Sequence, residues 1–211
     1  MASEKTIGRL TLYRRILNET VLEGIESIHS HTLAAKAGAS SAQVRRDLME
    51  IGYVGHSRRG YDVMGLIESL REFLDAPGGQ GVALVGVGNL GRAVLAYFAG
   101  RRPSLAIRAA FDVDSQKVGR VVHGCRCWPM DKIEDVIAEE QITTAVIAVP
   151  VASAQDAAER AIRGGVRGIL NFAPVPLDLP EDIHVENIDM GMALEKVAYF
   201  SRADQTTDQT T

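Results

Sequence analysis

The stretch GVGNLG sets glycines at Gly86, Gly88 and Gly91, the spacing G-x-G-x-x-G. It follows the apolar run Val82–Val85 directly and opens a helical stretch that ends near Ala99. In that context the first glycine permits a tight turn, the second lets backbone approach a pyrophosphate, and the third allows close helix–strand packing. The N–H groups of the turn and the helix start, across Val87, Asn89 and Leu90, then serve as anion donors. The next apolar run, Leu105–Phe111, ends in DVD. Asp112 thus stands about 20 residues past the last glycine, where an acid receives adenosine ribose hydroxyls, with Asp114 as a second candidate. A carboxylate there repels a 2′-phosphate, which favours NAD+ and NADH over NADP. The same turn also serves other nucleotides, coenzyme A among them.

Two more segments, AVP at Ala148–Pro150 and NFAPV at Asn171–Val175, fall at the carboxyl ends of apolar runs, where open α/β sheets bind ligands. Pro150 and Phe172 are candidates to line an apolar nicotinamide pocket, and the prolines serve equally as strand terminators. Hydride transfer would also need a proton donor and a substrate site. The histidines His29, His31, His56, His123 and His184 form no recognisable catalytic constellation, and only about 20 residues follow the last strand. No catalytic residue is assigned. Nor is a metal site: Cys125 and Cys127 stand one residue apart, too close for a comfortable disulfide and unlike a zinc ligand set, and read as reduced structural thiols. The expectation is a sensor and not an enzyme. The runner-up is a small NAD-dependent oxidoreductase with an accessory N-terminal domain. A third reading is a nucleotide-binding module whose basic patch meets acidic protein.

These residues must be positioned by an α/β chain. Alternating apolar runs and helical stretches from residue 81 to residue 190 predict βαβ units, hence a Rossmann-like parallel-sheet domain. Ahead of it, residues 1–76 read as helices and a hairpin. A first helix spans Ile7–Leu22, and Ser30 caps a short second helix, Thr32–Ala37, ended by Gly38. Ser40 or Ser41 caps a third, AQVRRDLMEI, and Tyr53–Val54 and Tyr61–Val63 flank the turn GHSRRG. This is the layout of a winged helix-turn-helix. In the third helix Val44, Leu48 and Ile51 face inward, while Arg46 lies almost opposite, flanked by Arg45 and Gln43. Ser41, Gln43, Arg45 and Arg46 at the helix start are fit to meet the major groove. Arg58 and Arg59 on the turn are fit to enter a narrow minor groove. Asp47 lies near the inward face and reads as a structural partner for a basic group. APGGQ, Ala76–Gln80, is the linker; Gly191–Arg202 is a last helix; DQTTDQTT, residues 204–211, reads as a disordered tail.

A net charge of −4 excludes a protein that is basic throughout, although Lys36–Gly60 is locally positive. Hydrophobic content of 46% with 24% charged residues is ordinary globular composition. With no signal-peptide core and no apolar run long enough to span a membrane, the expected location is cytoplasmic, without a membrane partner.

Taken together, RLTLY at Arg9–Tyr13, SSAQVRRDL at Ser40–Leu48, GVGNLGRA at Gly86–Ala93, FDVD at Phe111–Asp114, AVP at Ala148–Pro150, ILNFAPV at Ile169–Val175 and VENID at Val185–Asp189 resemble the Rex family of redox-sensing transcriptional repressors. The resemblance implies a homodimer that binds a pseudo-palindromic operator DNA and is released by NADH, with NAD+ competing. It implies a C-terminal helix, residues 191–203, exchanged between subunits. It also implies that Tyr97 lies near the nicotinamide, and that Arg9, Tyr97 and Asp189 form a coupling network. CRCW at Cys125–Trp128 is no part of the family pattern.

Overall fold

The structure is a computed structural model that describes residues 2–55, 59–100 and 105–202. The chain divides between Pro77 and Gly78, inside the expected linker, into two compact units.

The first unit is built on α1 (Glu4–Leu22), α2 (Ser30–Ala37), α3 (Ser41–Glu50) and α4 (Val63–Leu74). Each start has a local cause. Ser3 caps α1, Ser40 caps α3 by accepting from the Gln43 N–H at 3.1 Å, and Asp62 caps α4 by accepting from Gly65 N–H at 2.6 Å. Helix α2 departs from expectation. Ser30 is its first residue, His29 holds the cap position without a side-chain bond, and Gly38 ends it in a left-handed conformation at φ 63°. Leu10, Tyr13, Leu17, Leu33, Val44, Leu48, Leu66 and Leu70 are fully buried and form one core.

The expected hairpin is corrected. Tyr53–Val54 is not a strand; β2 (Tyr61–Asp62) pairs antiparallel with β1 (Ser27–Ile28), Ile28 opposite Tyr61. Burial decides the pairing. Ile28 and Tyr61 bring apolar side chains to the shared core, whereas Val54 is 82% exposed. Arg58 and residues 204–211, the latter expected as a tail, lie outside the described residues; Arg59 is described and exposed.

The second unit carries a seven-stranded sheet: β3 (Gln80–Val85), β4 (Leu105–Asp112), β5 (Val121–Val122), β6 (Cys125–Pro129), β7 (Thr144–Ile147), β8 (Gly168–Asn171) and β9 (His184–Asn187). Their spatial order is β5-β6-β4-β3-β7-β8-β9, parallel throughout except for β5, an antiparallel edge strand absent from the sequence expectation. Without β5 this is the doubly wound order 3-2-1-4-5-6, and the order reverses between β3 and β7. Successive side chains of β3 alternate between two cores, as a two-fold strand repeat requires. Ala83 and Val85 join Phe111, Ile147 and the alanine face of α7 (Val151–Gly164), with α6 (Ile133–Glu139) beside it. Val82 and Leu84 join Val94 and Leu95 of α5 (Asn89–Phe98). A sheet covered on both faces explains why its strands read as continuous apolar runs.

The last helix, α8 (Met190–Phe200), buries none of its residues. Met190, Met192, Leu194, Val197, Tyr199 and Phe200 are each more than half exposed.

Candidate functional site

The loop after β3 and the loop after β7 diverge at the reversal of strand order, the place where open α/β sheets form a ligand crevice. A cavity of 590 Å³ opens there. Gly86, Gly88, Asp112 and Asp114 line one part of it; Ala148, Val149 and Pro150 line another. The glycines are needed as glycines. Gly86 turns at φ 97°, where a Cβ would collide with the Ala148 carbonyl, and a Cβ on Gly91 would collide with the Gly86 carbonyl oxygen. Nothing stands within 4 Å of a Cβ position at Gly88, so that backbone is open to a ligand. Gly88 is also the N-cap of α5 and brings no side chain to the helix start. Three exposed or half-buried residues, Gly88, Asn89 and Leu90, therefore present an open helix N-terminus beside the cavity. This cradle fits a dinucleotide pyrophosphate.

Asp112 does more than face the cavity. Its Oδ2 accepts from the Val87 N–H at 2.8 Å and from Lys117 Nζ at 3.1 Å, and its Oδ1 accepts from the Asp114 N–H at 2.9 Å. Burial pushes its pKa up, and the hydrogen bonds from Asp114, Val87 and Lys117 outweigh burial and leave it below the ordinary value. The carboxylate is thus charged and ties the glycine turn to the end of β4. Asp114, less buried, faces the same cavity and also meets Lys117 at 3.6 Å. Lys117 escaped the sequence reading because no spacing rule distinguishes it from a solvated lysine; only the turn Asp114–Val118 carries it back over Asp112.

The apolar residues split. Pro150 lines the cavity, together with Phe111, Met130 and Val149. Phe172 packs on the core cluster containing Val87 and Val146, and Tyr97 is exposed on α5; neither lines the cavity. The NFAPV loop is shaped by Asn171, which is fully buried. Its Nδ2 donates to the Val175 carbonyl and to Asn187 Oδ1, both at 2.9 Å, and its Oδ1 accepts from the Ala173 N–H at 3.0 Å. Asp189 caps α8, accepting from the Met192 N–H at 2.8 Å. Cys125 and Cys127 are buried free thiols, and burial pushes Cys125 up to about 11, which keeps it protonated and unreactive near neutral pH. Among the described residues no group of His, Cys, Asp and Glu could hold a metal, and no helix is long and apolar enough to cross a membrane.

In the first unit, α3 presents Arg46 outward as its wheel requires, with Ala42 and Met49 exposed beside it. Ser41 and Gln43 are half-buried, and Arg45 donates to Ser30 Oγ at 3.3 Å. Asp47 is buried, as expected for a structural partner. It accepts from Arg9 Nε and Nη2, both at 2.7 Å, from the Tyr13 hydroxyl at 2.9 Å and from Gln43 Nε2 at 2.8 Å. Arg9, expected beside Tyr97 and Asp189, thus has its described hydrogen bonds within the first unit, to Asp47 and Thr6.

Comparison with known proteins separates the possibilities that the geometry leaves together. Residues 79–175 match a family model described as "CoA binding domain", and residues 2–48 match one described as "Putative DNA-binding protein N-terminus". The redox-sensing transcriptional repressor Rex of Carboxydothermus hydrogenoformans is 38% identical, over 95% of this chain and 97% of its own. The chain belongs to the Rex family of redox-sensing transcriptional repressors. Solved Rex-family structures agree. That of the repressor RSP in complex with NAD+ and operator DNA is 29% identical, with a TM-score of 0.88 over 97% of this chain and 94% of that one. RSP in complex with NADH is 28% identical, with a TM-score of 0.83 over 97% and 96%. For a Rex-family chain the coenzyme A model is no conflict, because coenzyme A and NAD share an adenosine diphosphate, and the matched range includes the glycine turn. The second match ends at Leu48, so it takes in most of α3 and both of its arginines.

Proposed function

We propose that this chain is a homodimeric repressor that reads the NADH/NAD+ ratio: it binds operator DNA through α3 and is released when NADH occupies the cavity at the strand-order reversal. Residues 1–76 form the DNA-binding domain, 81–190 the coenzyme domain, and 191–203 a helix exchanged between subunits. The observation that carries the reading is the glycine cradle beside the buried Asp112 carboxylate, in a chain whose other unit displays Arg46 on an exposed helix face.

The bound coenzyme would rest its pyrophosphate on Gly86–Gly91 and an adenosine ribose against Asp112 and Asp114. NAD+ and NADH share those contacts, so discrimination falls to the nicotinamide, cationic when oxidised and neutral when reduced. An apolar wall on the β7 and β8 side, such as Pro150 and Val149 with Phe172 as a further candidate, penalises the cation through desolvation. A hundredfold preference requires about 2.7 kcal/mol of differential binding, within reach of one poorly solvated charge. Tyr97 and Asp189 are the coupling candidates on the coenzyme unit. Arg9 takes part through the footing it gives α3. Helix α8 supports the dimer, because apolar side chains of this size gain about 1.5–3 kcal/mol each on full burial.

Arg46→Ala tests the DNA side. A bidentate arginine–guanine contact is worth about 1–3 kcal/mol, and a dimer makes it twice, so operator affinity should fall roughly 30-fold or more. NADH affinity, measured by calorimetry, should not change. Loss of both would make Arg46 a structural residue and overturn its assignment.

A further inference from the structure

Gln43 stands at the start of α3, where a glutamine could read adenine by offering its amide nitrogen and oxygen together. The structure occupies both ends of that amide. Its Nε2 donates to Asp47 Oδ1 at 2.8 Å, and its Oε1 accepts from Arg46 Nη2 at 2.8 Å. Chemistry forces this orientation: a carboxylate only accepts and a guanidinium only donates, so the amide cannot flip without placing like against like. The two partners lie four and three residues along, on one stripe of the helix. Beyond Asp47 the stripe is anchored to α1 by Arg9 and Tyr13, with Arg9 at 2.7 Å and the Tyr13 side chain fully buried. The sequence of contacts Arg9–Asp47–Gln43–Arg46 therefore runs from a buried anchor to the most outward arginine of the helix.

We propose that Gln43 is a positioning residue and not a base reader: clamped by Asp47, it holds the Arg46 guanidinium by one edge, so that α3 selects a guanine through Arg46. This rests on the DNA-binding reading above and names the specificity of that surface. Arg46 keeps the rest of its five-donor fork for the N7 and O6 acceptors of guanine. The clamp limits the rotamers that a free arginine would have to give up on binding. Gln43 itself contributes no adenine preference.

The test is selection of duplexes from a random-sequence library by the full-length protein, followed by affinity measurements on the enriched site. The proteins are wild type, Gln43→Met, Arg46→Ala and the double variant. Gln43→Met keeps the length and helix preference of glutamine and removes both amide contacts, and circular dichroism checks its fold. The expected result is a loss of guanine preference in Gln43→Met at the same base pair at which Arg46→Ala loses it, with affinity roughly tenfold weaker. The double variant should bind no more weakly than Arg46→Ala alone, because Gln43 acts through Arg46. Loss of an adenine preference at another base pair, additive effects in the double variant, or an unchanged Gln43→Met would each overturn the assignment. A wild-type protein that enriches no sequence at all would overturn the repressor reading beneath it.

Discussion

Gly91→Ala is expected to weaken NADH binding by about 100-fold or more, equivalent to ~2.7 kcal/mol, while leaving α1 to α4 folded. The new methyl group has nowhere to go. It would collide with the Gly86 carbonyl oxygen and touch Leu84 Cδ2 at 3.4 Å. Gly86 cannot retreat, because its N–H donates to the Phe111 carbonyl at 2.8 Å and the next N–H, of Val87, donates to Asp112. Either α5 lifts away from β3 or the turn opens, and both move the N–H groups that would hold the pyrophosphate. Overpacking of this kind costs about 1–3 kcal/mol in stability as well. Calorimetric titration checks the binding, and hydrogen exchange of residues 4–74 checks the first unit. Affinity within threefold of wild type would show that the turn is not the pyrophosphate cradle.

The second large effect is expected of Asp47→Ala. That carboxylate collects four hydrogen bonds from three side chains, and its removal leaves the fully buried Tyr13 hydroxyl and the partly covered Arg9 guanidinium without their partner. Breaking such a pair one-sidedly costs about 3–5 kcal/mol. The exposure of Arg9, 28% of its side chain, places the expected loss at the lower end of that range. In a unit of this size each kilocalorie moves the melting temperature by roughly 4–8 °C, so protection of residues 4–74 should collapse well below the wild-type midpoint. Residues 80–188 should keep theirs. The pH dependence has a definite sign. Burial pushes the Asp47 carboxyl up, but hydrogen bonds from Arg9, Gln43 and Tyr13 prevail and leave it below its ordinary value. Its stabilisation is therefore present above the ordinary carboxylate range and is lost as the pH falls through the lower, folded value. Tyr13 adds nothing near neutrality, since burial, the hydrogen bond to Asp47 and its charge push it up to about 12. An Asp47→Ala protein that melts with wild type would remove the anchor from this account.

Both variants bear on what was legible from residues alone. The glycine turn, Asp112 and the outward Arg46 were legible because each rests on a short-range rule: a steric spacing, a strand end, a helical angle. Asp47 was legible as a structural partner, since it lies near the inward face. Its partner, Arg9, lies 38 residues away, and no periodicity connects them. The pairing of β1 with β2 failed for the same reason. Two-residue strands carry no alternation of their own, and the core shared by Ile28 and Tyr61 chooses the pair. Strand β5, also two residues long, and Lys117 owe their places to tertiary turns. Phe172 is a nicotinamide candidate by its place after a strand end and Tyr97 by the family resemblance; the first packs in a core cluster, the second is exposed on α5, and neither place follows from a short-range rule.

The most direct measurement is fluorescence anisotropy of a labelled operator duplex bound to the purified protein, titrated with NADH and, separately, with NAD+. Release by NADH at concentrations where NAD+ leaves the complex intact is the predicted result. Equal release by the two coenzymes, or none by either, would contradict a sensor that distinguishes a neutral nicotinamide from a charged one.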